Sequence, residues 1–145
     1  IGDGNRLQHA KDLAVALKIN DRVEFMGRII ATEEIFARHQ AYILISKWEG
    51  LPRSIIEAMR AGMPVIASDV GGCSEEIKDG INGFLIPREN LKTLVSKLSL
   101  LTSNPDLRLR MGNKSRYFYE KNFTFKKMYR ENVRVYKEII MEQHG

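Results

Sequence analysis

Residues 49–72 read EGLPRSIIEAMRAGMPVIASDVGG, and the last third of that stretch decides the fold. Val65 to Ser68, VIAS, is a short unbroken apolar run bounded by turn residues, the pattern of a strand buried on both faces of a sheet. The residues before it predict a helix from Pro52 to about Ala61, stopped at Gly62, with proline at its first position and glycine just past its end. A helix feeding a doubly buried strand is half of a βα unit, and the alternation continues in both directions. Upstream, YILIS (Tyr42 to Ser46) and VEFM (Val23 to Met26) read as strands; downstream, FLIP (Phe84 to Pro87) does. The fold class is therefore α/β, a Rossmann-like parallel sheet with flanking helices.

Helices fill the intervals. One covers about Arg6 to Lys18 with Leu7, Ala10, Ala14 and Leu17 on one stripe, and another begins after Thr32, with Glu33 and Glu34 where the helix dipole favours acids. A short helix lies near Ser74 to Lys78, ended by Gly80, and Asn90 to Thr102 is amphipathic. Asn104 and Pro105 open another helix, and Thr124 opens the last, with Phe125, Met128, Tyr129, Val133, Tyr136 and Ile140 expected inward. IGDG at the start reads as the end of a strand followed by a tight strand-to-helix corner, so residues 1–145 are expected to form one domain whose first strand lies upstream.

Composition narrows the function classes. A hydrophobic content of 43% with 28% charged residues is that of a folded globular protein, not of a disordered chain. No apolar run approaches the roughly 20 residues a bilayer span needs, and the N-terminus has no signal-peptide pattern. The single cysteine, Cys73, excludes an internal disulfide framework, and the expected location is the cytoplasm. A net charge of +5 permits an anionic partner. Much of the excess lies between Arg108 and Lys137 with Glu120, Glu131 and Glu138 interspersed, which suits either a solvated helical face or an anion surface.

In an open parallel sheet ligands gather beyond the carboxyl ends of the strands, where KWEGLPRSIIE follows YILIS. Proline at a helix start leaves the N–H groups of Arg53 and Ser54 pointing outward, ready for an anion favoured by the helix dipole. Arg53 opposes that dipole, so either a phosphate sits beside it or it pairs with Glu57 at i+4. Glu49 and Glu57 bracket the spot as acceptors for sugar hydroxyls, or are two surface glutamates without a ligand. Trp48 is either a stacking platform for a sugar or packing beneath the loop. No histidine is placed to activate Cys73 or Ser74 as a nucleophile.

The pattern EGLPRSIIEAMRAGMPVIASDVGG, continued by EEIKDGINGFLIP, GDG at Gly2 to Gly4 and DRVEFMG at Asp21 to Gly27, resembles the E-x7-E signature of retaining glycosyltransferases of the GT-B fold, glycosyltransferase group 1 or family GT4. The resemblance implies the C-terminal, donor-binding half of a two-domain enzyme, lacking its first strand and helix. Glu49 would contact the donor sugar as the catalytic-site carboxylate, without being named a nucleophile, and Glu57 would bind the ribose. Gly50, Leu51, Arg53 and Ser54 would line the diphosphate, and Arg28 and Ile29 would face the base. The donor would be a UDP- or GDP-sugar, with no cofactor and no metal, and the acceptor a glycan or lipid-linked saccharide held by an N-terminal domain. The setting would be bacterial surface polysaccharide synthesis at the inner face of the plasma membrane, with weak peripheral attachment and no nucleic-acid partner. A noncatalytic nucleotide-sugar or phosphate-binding module of the same fold is the alternative.

The chain departs from the family at Pro52, where many members have a glycine whose amide serves the hexose, since proline has no N–H. The family's basic Arg and Lys pair would lie upstream of Ile1, and His9, His39 and His144 match no catalytic position. Without its first strand, VEFM would lack the neighbours that join it to YILIS, so an isolated copy is expected to repack, dimerise through strand edges, or depend on an upstream segment.

Overall fold

The computed structural model describes residues 1–142, so His144 lies outside the described residues. The chain groups into two compact units, Ile1–Glu34 and Ile35–Gly145. In the first, α1 (Leu7–Ala16) is followed by a tight exit with Lys18 in the left-handed region (φ 56°). The Gly2 N–H donates to the Gly27 carbonyl at 2.6 Å. Of the α1 stripe only Ala14 is buried, and Leu17 stands exposed. The strand expected at Val23 to Met26 is not formed: a parallel strand exists only through hydrogen bonds to a neighbour, and residues 23–26 join no ladder.

The second unit is the βα body that VIAS pointed to. Its sheet runs in the order β1 (Tyr42–Leu44), β2 (Val65–Ser68), β3 (Gly83–Ile86), all parallel, with Ile66 opposite both Ile43 and Phe84. Every residue of β2 is buried. Val65 and Ala67 face a core with Phe36, Ile55, Ala58, Met59, Met63, Cys73 and Ile77. Ile66 faces the opposite one, with Phe84, Ile86, Leu101 and Met111. Helices α2 (Glu33–Ala37), α3 (Arg53–Arg60) and α4 (Cys73–Glu76) follow or precede the strands, and α5 (Leu91–Ser103), α6 (Pro105–Asn122) and α7 (Phe125–Glu142) complete the chain.

Helix ends form where the caps predict. The side-chain oxygens of Asn90 and Asn104 accept from the Thr93 and Leu107 N–H groups, each at 2.9 Å. After α3, Gly62 takes φ 72°, Gly62 N–H donates to Met59 and Met63 N–H to Ala58, the left-handed closure that glycine makes without a Cβ penalty. Gly112 of α6 lies on that closure, and a Cβ there would collide with the Gly62 carbonyl. The Asn of the DGINGF turn holds the turn to its neighbours. Buried Asn82 accepts from the Lys78 N–H (2.7 Å) and donates to the Glu76 carbonyl (3.1 Å). Its own carbonyl accepts from the Ser115 hydroxyl of α6 at 2.9 Å.

Four of the basic C-terminal residues are used within the fold. Arg108 donates to the Leu101 and Thr102 carbonyls at the end of α5, Arg116 to the Arg60 carbonyl at the end of α3, and Lys127 to the Lys121 carbonyl near the end of α6. Arg116 also pairs with Glu120, and Arg134 with Glu131 and Glu138. These contacts favour the solvated helical face over an anion surface. The inward stripe expected on α7 is not covered: Phe125 is 74% and Tyr136 66% exposed, with Met128, Tyr129 and Ile140 exposed as well and only Val133 half-buried. Helical periodicity marks an apolar face, but burial needs a partner surface, and the described residues supply none there.

Candidate functional site

The loops after β1 and β2 leave the same sheet edge and are pressed together, backbone to backbone. The Gly72 N–H donates to the Gly50 carbonyl at 2.6 Å. A Cβ on Gly72 would come within 2.6 Å of that oxygen, and one on Gly71, whose φ is +52°, would run into the Glu49 carbonyl. Only glycine fits both positions, so the GG pair seats the Glu49 loop. Trp48 does not pack beneath that loop. It is 79% exposed, with the Arg88 guanidinium 4.8 Å above its ring, and neighbouring Lys47 pairs with Glu89 at 3.2 Å.

Helix α3 begins one residue later than expected: Pro52 is its N-cap with extended backbone (φ −73°, ψ 104°), and Arg53 is its first helical residue. The missing N–H of proline therefore falls on the cap, where no helical bond would use it. Ile55 N–H closes back on the Pro52 carbonyl at 2.9 Å. The Arg53 and Ser54 N–H groups have no acceptor among the described residues, and no side chain caps the helix. Arg53 is exposed and forms no ion pair among the described residues, so the i+4 pairing with Glu57 is not made.

The charges of both glutamates act on one residue that the sequence patterns do not single out. Burial pushes the Tyr42 hydroxyl above its ordinary range; a hydrogen bond with the Ser54 side chain opposes the shift, and the Glu57 and Glu49 carboxylates add to it. Ser54, at the start of α3, is thus hydrogen-bonded to Tyr42 of β1, and the Glu57 and Glu49 charges are felt at that hydroxyl. Glu49 is half-buried and accepts from the Ser46 hydroxyl at 2.6 Å, so Ser46, the last residue of YILIS, fixes its carboxylate. Gly50 and Leu51 are exposed on the same loop. Arg28 and Ile29 belong to the first unit, in a stretch without regular structure where Arg28 is exposed and Ile29 half-buried. His9 and His39 are exposed.

A third acid emerges only in three dimensions. Glu76, at the end of α4, is 1% exposed, and neither carboxylate oxygen finds a hydrogen-bond partner. Burial first, then the Glu75 and Glu49 charges, push its carboxyl up to about 8. The sequence does carry a signal: Cys73, Glu76 and Ile77 share one helical face, and the other two are apolar and buried.

Together the site offers unpaired helix N–H groups, an arginine in the same turn and carboxylates in the preceding loop and one turn on, a set that suits an anion flanked by hydroxyls. Among the described residues no group of three His, Cys, Asp or Glu side chains could hold a metal ion, and no helix is long and apolar enough to cross a membrane.

Known proteins agree with this architecture. Residues 1–118 match the family described as Glycosyl transferases group 1. An uncharacterized glycosyltransferase of Haemophilus influenzae is 37% identical over 121 residues, covering 83% of this chain and 34% of that protein. A Vi polysaccharide biosynthesis protein of Salmonella typhi is 35% identical over 86 residues, 59% of this chain and 15% of that one. Among solved structures, Anabaena HepE in complex with UDP superimposes with a TM-score of 0.83 at 21% identity, over 92% of this chain and 38% of that one, a likeness of fold. The chain spans about a third of the length of the Haemophilus relative. With most of its length matched, the chain belongs to the group 1 glycosyl transferases.

Proposed function

We propose that this chain is the donor-binding part of a retaining glycosyltransferase that moves a sugar from a nucleoside diphosphate sugar to a glycan or lipid-linked acceptor. The reading rests chiefly on the open Arg53 and Ser54 N–H groups at the start of α3, where the Ser54 side chain is hydrogen-bonded to Tyr42 and the Glu57 and Glu49 charges are felt. In this reading the diphosphate lies on the start of α3 with Arg53 beside it, Glu57 accepts from the ribose hydroxyls, and Glu49, steadied by Ser46, accepts from the hexose. Gly50 and Leu51 contact the donor from the same loop as Glu49.

As the bond from the anomeric carbon to the diphosphate breaks, negative charge grows on the leaving phosphate, and helix N–H groups already aimed there stabilise it without reorganising. The positive groups of the protein meet this demand without a metal ion in the proposed scheme. Pro52 offers no N–H toward the hexose, so sugar contacts fall to side chains. The likeness to a polysaccharide biosynthesis protein supports a role in polysaccharide synthesis.

Calorimetric titration of the chain with UDP-, GDP- and ADP-glucose, repeated on Glu57→Ala, tests the reading. Saturable binding of one nucleotide sugar, weakened by the substitution, supports the donor site and names the base. Binding indifferent to Glu57 would overturn the assignment of that residue, and a folded chain that binds none of the three, alone or within the full-length protein, would overturn the reading.

A further inference from the structure

Glu76 plays no part in the proposed sugar transfer. A buried acid with no donor and no cation against it is a costly core residue, and an aliphatic side chain would suit the same place better. Its position ties it to the donor loop. Helix α4 starts at Cys73, directly after the glycines that seat Glu49 and Gly50. The charges acting on Glu76 are Glu75 from its own helix and Glu49 from the loop after β1, while the Cys73 thiol is acted on by Glu76, Glu49 and Asp69. The ionisable residues of α3, which packs against α4, are Arg53, Glu57 and Arg60, and none of them acts on Glu76. The surroundings are acidic without a compensating cation, so Glu49 and Glu76 cannot both be charged at low cost.

We propose that Glu76 is a positioning residue of the donor site: its carboxyl, buried without a partner on the short helix that directly follows the Gly71–Gly72 seat, keeps the Glu49 loop seated while neutral, and ionising it unseats the loop and weakens donor binding. The inference rests on the donor-site reading. A negative charge at Glu76 would repel Glu49 and draw water under the loop, and the two backbones held 2.6 Å apart at Gly72 and Gly50 would part.

The test compares the natural chain with Glu76→Gln, which keeps the size and cannot ionise, titrated with UDP-glucose and GDP-glucose from pH 6 to pH 9 while the Gly50, Gly71 and Gly72 amide signals are followed by NMR. If only the neutral acid supports binding, a group that titrates at about 8 lowers the affinity of the natural chain roughly tenfold between pH 7 and pH 9. Glu76→Gln should show only the titrations that both proteins share, including those of Cys73 and Tyr42, which burial pushes above their ordinary ranges. Glu76→Leu serves in its place should the amide fail to fold. Parallel affinity profiles would overturn the positioning role and leave the donor reading intact. Absence of donor binding would count against the donor reading, and the glycine amides of the free protein would then decide the positioning role. A titration present in the natural chain and missing in the variant sustains it; identical titrations refute it.

Discussion

Replacing Glu76 with leucine should stabilise the protein at neutral pH and flatten its stability against pH. The ordinary carboxyl titrates at 4.5, and this one is pushed up to about 8. Between those values the unfolded chain has lost its proton and the folded chain still holds it. The folded state therefore binds more protons, and stability falls as pH rises through this window. Each pH unit corresponds to about 1.4 kcal/mol, so this group removes roughly 3 kcal/mol by pH 7 and on the order of 4 to 5 kcal/mol once ionised in the folded state. Below about pH 4.5 the destabilisation vanishes, and above about 8 it is constant. Cys73 and Tyr42 start from 9.0 and 10.0 and are raised, so their losses of stability begin above this window. Urea unfolding of the natural chain and Glu76→Leu at pH 5, 6, 7 and 8 reads the effect as a difference that widens with pH. A constant difference across the series, or a leucine variant less stable at pH 7, would refute the burial of an unpaired acid.

Four further outcomes follow from other contacts. Gly71→Ala should cost roughly 2 kcal/mol or more in urea unfolding, because the left-handed backbone is strained for alanine and the Cβ collides with the Glu49 carbonyl; donor binding should weaken with it. Asn82→Ala strands the Lys78 N–H and Glu76 carbonyl and should lower stability by about 2 to 4 kcal/mol without changing nucleotide selectivity. Gly112→Ala should force α6 away from the end of α3 and cost about 1 to 3 kcal/mol, read as a lower Tm in calorimetry. Glu57→Ala should weaken nucleotide-sugar binding by about 1.5 to 3 kcal/mol, roughly ten- to a hundredfold, read by calorimetric titration.

The parts of the fold legible in sequence are those set locally. VIAS needs only its own composition to read as a doubly buried strand, and Asn90, Asn104 and Thr124 mark helix starts because a cap bonds within three residues. EGLPRSIIE can be placed at the carboxyl edge of the sheet for the same reason: strand end, cap and first turn are consecutive. VEFM and the α7 stripe mislead because β propensity and helical periodicity state what a segment could bury, while ladder partners and covering surfaces lie far away in sequence. Tyr42, Ser46 and Glu76 escape a reading of the sequence as well. Ser54 reaches Tyr42, and burial isolates Glu76, only in the folded chain, while the Ser46 bond to Glu49, three residues on, depends on a loop conformation that composition does not specify. GG at Gly71 and Gly72 is visible as part of a motif, but its reason, carbonyls of another loop in the space a Cβ would take, is tertiary.

The donor site is tested most directly by following the backbone amides of Arg53 and Ser54 by NMR while the chain is titrated with UDP. The account predicts that these two signals shift saturably, that UDP moves them more than uridine because the phosphates lie on the helix start, and that Arg53→Ala weakens the effect. Saturable UDP binding that leaves both amides unmoved, with shifts elsewhere on the surface, would contradict it.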